Sequence, residues 1–262
     1  MVFKLYVSVH LVEVLRLNSG NQLKEYEDSF ETKVVIYVQS CIYDGFSIKN
    51  RRSLNMDSLL LKESEIEGKA VYLMVVCDGV GSLVDGAFAS SMSVKLLSDW
   101  LDEMTDTRCI GLNLQKRILE INQIILEQAR RYSIQTATTL SALLIVEDRY
   151  YIAHMGDSRI YGYSDGTLKQ LTYDHVLDGK LTSCIGRTEA PDIFYNEGSA
   201  KGTRFLLCSD GLYKKMDVMY LQHELEHVRK KTIKKTIERL LQYVIERGES
   251  DNISITIMMH ER

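Results

Sequence analysis

The sequence lacks the compositional extremes that mark several classes of protein. It contains one Pro among 262 residues, and 45% of its residues are hydrophobic, which excludes collagen-like, low-complexity and disordered chains. Its net charge of −4 gives no reason to expect nucleic acid or an anionic membrane as a partner, because both select for a concentrated positive patch. The length fits one large domain, or at most two small ones.

Long apolar runs and paired cysteines are also missing. The apolar run at 71–77 is far shorter than the roughly 18 residues that span a membrane. The five Cys are odd in number and form no Cys-x-x-Cys pair, which favours reduced core thiols. The first residues alternate apolar and polar side chains, unlike the unbroken apolar segment of a signal peptide. We therefore expect a cytoplasmic protein that does not enter a membrane, and we expect a monomer.

The order of apolar patterns predicts how the chain is organised. Residues 1–32 are interpreted as an N-terminal extension packed on a domain that spans 33–262. Helical spacing of apolar residues predicts helices at 87–104, 114–125 and 233–245. Strands are predicted at 34–38, 58–61, 71–76, 139–146, 150–155, 160–163, 167–171, 204–208 and 253–258. Strands clustered in this way favour an α+β fold, with antiparallel sheets and the helices outside them.

Carboxylates stand where several of these apolar strands meet loops. The positions are Asp78, Asp157, Asp210 and Asp251, three of them next to a glycine that allows close approach. Carboxylates that converge repel one another, and a cation relieves that repulsion. A ligand set made only of oxygen favours Mg²⁺ or Mn²⁺ over Zn²⁺. A single Asp-Gly pair is more often an ordinary turn, so only the whole set indicates a metal site.

Seven short motifs occur in a fixed order along the chain. They begin at Arg52, Asp78, Ala137, Gly156, Leu171, Ser209 and Asp251. They read Arg-x-x-Asn-x-Asp, Asp-Gly-x-Gly, Ala-Thr-Thr, Gly-Asp-Ser-Arg-x-Tyr, Leu-Thr-x-Asp-His, Ser-Asp-Gly-Leu and Asp-Asn-Ile-Ser. This series resembles the metal-dependent Ser/Thr protein phosphatases of type 2C, in their bacterial-like stand-alone form, from about residue 34 to residue 258.

The resemblance implies a fold and a set of metal ligands. The fold would be a four-layer α-β-β-α sandwich with the metal centre at one end. Asp78 would bridge two Mn²⁺ or Mg²⁺ ions, and the Gly79 carbonyl would bind one of them. Asp57 would act on the water shell of that ion, whereas Asp210 and Asp251 would complete the ligands of the other.

The implied reaction is the hydrolysis of phosphoserine or phosphothreonine in proteins. Two divalent ions about 4 Å apart acidify a bridging water and neutralise the phosphoryl oxygens, so water or hydroxide attacks without a covalent intermediate. Arg52 would bind the substrate phosphate as a guanidinium fork, and it would share the catalytic work with Asp57 and Asp78. Asp157, with Asp210, would hold a third, weaker ion. The implied partners are phosphorylated proteins and a cognate Ser/Thr kinase.

The sequence departs from the family pattern at three places. Ser82 and Ala137 stand where Gly is usual, and the segment at about 175–202, which corresponds to the family's flap, is short. These departures lead us to expect changes in substrate selection and in affinity for the third ion.

Two alternative functions remain open at this stage. His223-Glu224-x-x-His227 has the spacing of a zinc-peptidase helix, with Glu246 or Glu249 as a conceivable third ligand. A charged run directly after it favours an ordinary surface helix instead. A non-catalytic phosphoprotein-binding module is the other alternative, although none of the Asp residues named above is missing.

Overall fold

The structure is a computed structural model that describes residues 41–81 and 85–260. The predicted N-terminal extension, the strand predicted at 34–38 and the departure at Ser82 lie outside the described residues. The strands, in chain order, are β1 (Cys41–Ile48), β2 (Ser58–Ile66), β3 (Lys69–Cys77), β4 (Leu140–Val146), β5 (Arg149–Met155), β6 (Arg159–Ser164), β7 (Thr167–Gln170), β8 (Val176–Leu177), β9 (Lys180–Leu181), β10 (Phe194–Ser199), β11 (Arg204–Cys208) and β12 (Ile253–His260).

The helices of the described residues lie between these strands in the sequence. They are α1 (Gly86–Glu103), α2 (Ile110–Tyr132), α3 (Asp210–Tyr213), α4 (Val218–His227) and α5 (Ile233–Glu246). Asp85 caps α1 by accepting a hydrogen bond from the Phe88 N–H, and Asp217 caps α4 in the same way. Within the described residues, no helix has the length and apolar character needed to cross a membrane.

Two antiparallel sheets carry the fold. The first sheet has the strand order β1-β12-β11-β6-β7, and the second has the order β10-β5-β4-β3-β2. The short strands β8 and β9 form a separate hairpin. The turns that join neighbouring strands use left-handed residues, such as Asp165 and Gly166 with φ of 49° and 76°, as their Asp-Gly chemistry predicts.

The alternation of side chains along β3 explains the layers. Val71, Leu73 and Val75 belong to one core, which the second sheet forms with α1 and α2. Tyr72, Met74 and Val76 belong to another core between the two sheets. Both sets are buried because the second sheet is covered on both faces.

The first sheet is covered on its outer face by α4 and α5. Leu206 and Ile255 pack there against Leu225, Ile237 and Leu240. Burial of each such side chain contributes about 1.5–3 kcal/mol. The molecule is therefore an α-β-β-α sandwich, and the predicted α+β class with helices outside antiparallel sheets is confirmed.

Four of the described strands are missing from the predicted elements: the short hairpin β8–β9 and two of the edge strands. The sequence patterns predict neither β1 nor β10, which form an edge of the first and of the second sheet, respectively. Most residues of both strands are only partly buried or exposed, so their apolar periodicity is weak. Central strands such as β11 are recovered, because both of their faces are apolar and buried.

Candidate active site

The predicted carboxylates meet at one cleft of about 460 Å³. Its walls include six of the seven residues that the sequence analysis assigns to the site: Arg52, Asp78, Gly79, Asp157, Asp210 and Asp251. The seventh, Asp57, is only 7% exposed and lies close enough to Asp78 to interact with it. Residues from both sheets thus contribute to a single site.

The Asp78-Gly79 turn follows β3 and is held by its neighbours. The Asp78 N–H donates to Thr139 Oγ1 at 3.0 Å, and the Asp78 carbonyl accepts from Thr138 Oγ1 at 2.9 Å. A Cβ on Gly79 would lie 2.6 Å from the Gly86 carbonyl oxygen and 2.7 Å from that of Met56. Only glycine fits at this position, because the nearest atoms are backbone.

A second Asp-Gly turn follows β11 and touches the loop before β12. The Ser209 N–H donates to the Ser254 carbonyl at 3.0 Å, and the Ser254 N–H donates to Ser209 Oγ at 2.9 Å. A Cβ on Gly211 would lie 2.1 Å from the Asn252 carbonyl oxygen. The turn that carries Asp210 is thereby packed against the loop that carries Asp251.

Asp57 lies buried between these turns. Its Oδ2 accepts a hydrogen bond from Ser254 Oγ at 2.8 Å, whereas its Oδ1 is buried without a hydrogen-bond partner. Its backbone N–H donates to Asn55 Oδ1 at 3.2 Å. The sequence motifs include Asn55 and Ser254, but they give no sign that either side chain holds Asp57.

Burial and mutual repulsion disfavour the charged form of these acids. Burial raises the pKa of Asp57 to about 6, and the charge of Asp210 adds to the rise while serine hydroxyls oppose it. Burial also raises the pKa of Asp78 well above its usual range, with further increases from the charges of Asp57, Asp210 and Asp157. The pKa of Asp157 is raised by burial and by Asp210. A cation among these carboxylates would favour their ionised forms.

Arg52 and Asp251 form the other side of the cleft. Arg52 Nε donates to Asp251 Oδ1 at 2.8 Å, and Arg52 Nη2 donates to Asp251 Oδ2 at 2.8 Å. Partial burial alone would raise the pKa of Asp251, but hydrogen bonds from Arg52 and from the Asn252 N–H lower it overall. Arg52, whose guanidinium group is predicted to bind phosphate, lies at the mouth of the cleft.

Asn252 fixes the loop that carries Arg52. Its Nδ2 donates to the carbonyls of Lys49 and Leu54 at 3.0 and 2.9 Å. Its Oδ1 accepts from the Met56 N–H at 2.9 Å. Sequence reasoning did not assign Asn252 a role, although its place directly after Asp251 in the last motif was the available signal.

Arg159 supports the part of the site near Asp157. Its Nη2 donates to Asp174 Oδ2 at 2.7 Å, and its guanidinium carbon lies 3.7 Å from the centroid of the Tyr213 ring. Ser158 Oγ lies 2.7 Å from Thr139 Oγ1. The loop of Asp157 is thus tied to the Asp78 turn and to α3.

The donor atoms of the cleft fit a hard divalent cation. Within 41–81 and 85–260, no group of three or more His, Cys, Asp or Glu side chains is arranged closely enough to hold a metal ion as it stands. The available donors are nevertheless all oxygens, from carboxylates and the Gly79 carbonyl, and the buried Asp57 Oδ1 has an unused acceptor position. This set suits Mg²⁺ or Mn²⁺ better than Zn²⁺.

The zinc-peptidase interpretation of α4 does not fit the structure. Glu224, its required base, is 6% exposed and forms an ion pair with Arg239, whose Nε donates to both carboxylate oxygens at 3.2 and 3.1 Å. His223 and His227 do share a face, with ring centroids 4.3 Å apart, but His227 Nδ1 lies 2.8 Å from the His223 carbonyl. Glu224 stabilises the contact between α4 and α5 instead.

The shortened flap contains the strands β8, β9 and β10, and no helix occurs in its described residues. The hairpin β8–β9 brings Leu181 to the cleft, and β10 continues as an edge strand of the second sheet. At Ala137, the second departure, the backbone carbonyl accepts a hydrogen bond from the Val80 N–H at 2.9 Å. The Ala therefore keeps the contact between the segment before β4 and the Asp78 turn.

Comparison with known proteins identifies the family. The sequence profile described as Protein phosphatase 2C matches residues 45–253, so this chain belongs to the protein phosphatase 2C family. It is 31% identical over 214 residues to the serine/threonine phosphatase Stp of Listeria welshimeri, covering 71% of this chain and 83% of that relative.

Solved structures show the same fold. A bacterial serine phosphatase superposes with a TM-score of 0.77 at 20% identity, covering 84% of this chain and 97% of that one. The catalytic domain of the serine/threonine phosphatase PstP, in complex with two manganese ions, superposes with a TM-score of 0.71 at 24% identity. That superposition covers 84% of this chain and 97% of the other.

Proposed function

We propose that this chain is a metal-dependent protein phosphatase that hydrolyses phosphoserine and phosphothreonine in proteins. The observation that carries the proposal is the convergence, in one cleft, of an arginine fork and carboxylates from four separate loops. Membership of the protein phosphatase 2C family supports the reaction type. The names of its relatives support serine and threonine as the phosphorylated residues.

The carboxylates would hold two divalent ions. Asp78, the Gly79 carbonyl, Asp57, Asp210 and Asp251 would supply the oxygen ligands. When bound, Mn²⁺ or Mg²⁺ supplies positive charge that neutralises phosphoryl oxygens and acidifies the attacking water. The protein keeps the donors in place through backbone hydrogen bonds to both Asp-Gly turns.

Arg52 would orient the substrate. Its side chain is 57% exposed at the mouth of the cleft, where an incoming phosphate can reach it. Asp251 accepts from Nε and from one side of Nη2, so the opposite Nη1–Nη2 edge of the guanidinium can donate two parallel hydrogen bonds to a phosphate and orient the P–O bond that breaks. The clamp that Asn252 places on this loop reduces the entropy lost when the phosphate binds.

Hydrolysis of a phosphothreonine peptide tests the proposal. The full chain is assayed with Mn²⁺, Mg²⁺, Zn²⁺ or EDTA, beside Asp78→Asn and Asp210→Asn. We expect release of phosphate that depends on Mn²⁺ or Mg²⁺ and a loss of at least about 100-fold in both variants, because each loses a charged ligand. Asp99→Asn, on the outer part of α1, is the matched control and should keep full activity.

Two outcomes would refute this function. One is folded protein that releases no phosphate with any of the metals. The other is activity that survives in EDTA or in both cleft variants. Binding of the phosphopeptide without turnover would favour the non-catalytic module. A cognate kinase, a monomeric state and a cytoplasmic location stay predictions.

A further inference from the structure

Lys214 is a cation beside the cleft that neither the sequence motifs nor the proposed reaction uses. It lies four residues after Asp210, in the turn that ends α3. Its ammonium group forms an ion pair with Asp210 Oδ2. The Lys214 side chain is 56% exposed, whereas that of Asp210 is 16% exposed, so the ammonium group covers the solvent side of a largely buried carboxylate.

The charge of Lys214 acts on two further carboxylates besides that of Asp210. Asp157 and Asp78 also attract the ammonium group, so it lies within electrostatic reach of three carboxylates. Two of them, Asp157 in the loop from β5 to β6 and Asp210 at the start of α3, repel each other. Lys214 is ion-paired with Asp210 and attracted by Asp157, whereas Arg52, another cation at the cleft, hydrogen-bonds to Asp251.

We propose that the ammonium group of Lys214 fills the cation position between Asp210 and Asp157, so that the chain binds two divalent ions and excludes a further one from this pair. The inference rests on the proposed function, because it takes the carboxylates of the cleft to be ion ligands. Lys214 is a positioning residue in this scheme. Its positive charge balances the negative charges of Asp210 and Asp157, and it does not contact the substrate.

Two physical reasons support this role. A spacing of four residues on a helical turn places the ammonium group next to the Asp210 carboxylate whenever α3 forms. A positive charge on Asp210 Oδ2 disfavours a further divalent cation at that oxygen, whereas Oδ1 stays available to the two-ion centre, and the partly buried setting weakens solvent screening of the repulsion. The flexible stem of a lysine allows the ammonium group to serve two acceptors in turn.

Calorimetric titration with Mn²⁺ tests the number of ions directly. The metal-stripped full chain is compared with Lys214→Met, which keeps the length of the apolar stem, and with Lys214→Arg, which keeps the charge. Lys215→Met is the matched control, because Lys215 is the adjacent exposed lysine. Circular dichroism of each variant verifies that the fold is retained.

The proposal expects a specific pattern. Wild type, Lys214→Arg and Lys215→Met should each bind two ions over the titrated range, and Lys214→Met should bind a third with an affinity at least about tenfold above the upper limit that the titration sets for wild type. The proposal is overturned if Lys214→Met binds the same number of ions as wild type. It is also overturned if Lys214→Arg or Lys215→Met gains a third ion, or if wild type itself binds three.

The same titration separates this inference from the function on which it rests. Wild type that binds no divalent ion and releases no phosphate would refute both. Wild type that binds two ions and hydrolyses the phosphopeptide, with an unchanged Lys214→Met, would refute only the role of Lys214.

Discussion

The two sides of the cleft hold the same type of side chain in different environments. On the buried side, desolvation raises the pKa values of Asp57 and Asp78. On the exposed side, the pKa of Asp251 is lowered, because its hydrogen bonds with Arg52 outweigh partial burial. Burial and partners, not residue type, therefore decide whether a carboxylate in this cleft resists ionisation. The buried side is the one that benefits most from an added cation.

The largest expected effect on stability comes from a substitution at Gly211, where the turn of Asp210 packs against the loop of Asp251. In Gly211→Ala the new methyl group would lie 2.1 Å from the Asn252 carbonyl oxygen, so backbone must move. We expect a loss of about 3 kcal/mol in the free energy of unfolding, measured by urea titration.

Gly81→Ala provides the control for this change. An added methyl group at Gly81 meets no atom of residues 41–81 and 85–260 within 4 Å, and we expect its effect to stay within about 0.5 kcal/mol. Equal stabilities of the two variants would mean that the two sides of the cleft are not joined at Gly211.

A pH series on Asp57→Asn sharpens the contrast in pKa. The pKa of Asp57 is about 6 in the folded protein, against about 3.9 in an unfolded chain. Between these values the folded protein binds more protons, so its stability without metal falls as pH rises. Relative to Asp57→Asn, the wild type should lose on the order of 2 kcal/mol between about pH 4 and pH 7.

The measurement is urea unfolding of both proteins in EDTA across this range. The difference between them is the informative quantity, because burial lowers the pKa of His154 to about 4 and contributes the opposite slope. A difference that stays flat, or that grows in favour of the wild type as pH rises, would contradict the buried-acid interpretation of Asp57.

The smallest effect on stability is expected at the exposed side. Arg52→Ala removes an ion pair whose partners are 57% and 37% exposed, so the free energy of unfolding should change by less than about 1 kcal/mol. The value of kcat/KM for a phosphopeptide should nevertheless fall by about 10- to 100-fold, because charge-assisted phosphate contacts are lost. Arg51→Ala should leave both quantities nearly unchanged. A large loss of stability in Arg52→Ala would assign it a structural role.

Local patterns were sufficient for much of the fold. The predicted bounds of β11 are the observed ones, since an apolar run that ends at Ser-Asp-Gly is a local signal. The edge strands β1 and β10 were missed, because their partly exposed residues take strand structure from a neighbour's hydrogen bonds. The helix that contains the His-x-x-x-His spacing was predicted as a surface helix, but the burial of Glu224 against Arg239 was not.

The candidate site also combines residues that the sequence predicted with contacts that it did not predict. Motif order along the sequence was enough to select Asp78, Asp157, Asp210 and Asp251 together, and the structure brings them to one cleft. The residues that hold them, such as Asn252 and Ser254, were present in the motifs without a visible role. Their partners lie up to 207 positions away, as in the hydrogen bond from Ser254 Oγ to Ser47 Oγ.

The sequence by itself determined which residues stand at the strand ends, because the alternation of buried side chains and the glycine turns are local properties. Only the tertiary structure decided their environments. The pairing of β12 between β1 and β11 brings Asp251 to Arg52 and Ser254 to Asp57, across 199 and 197 positions. The burial of each carboxylate depends on these distant pairings, because the atoms that exclude water from it come from distant parts of the chain. The charge state of the carboxylate follows from its burial.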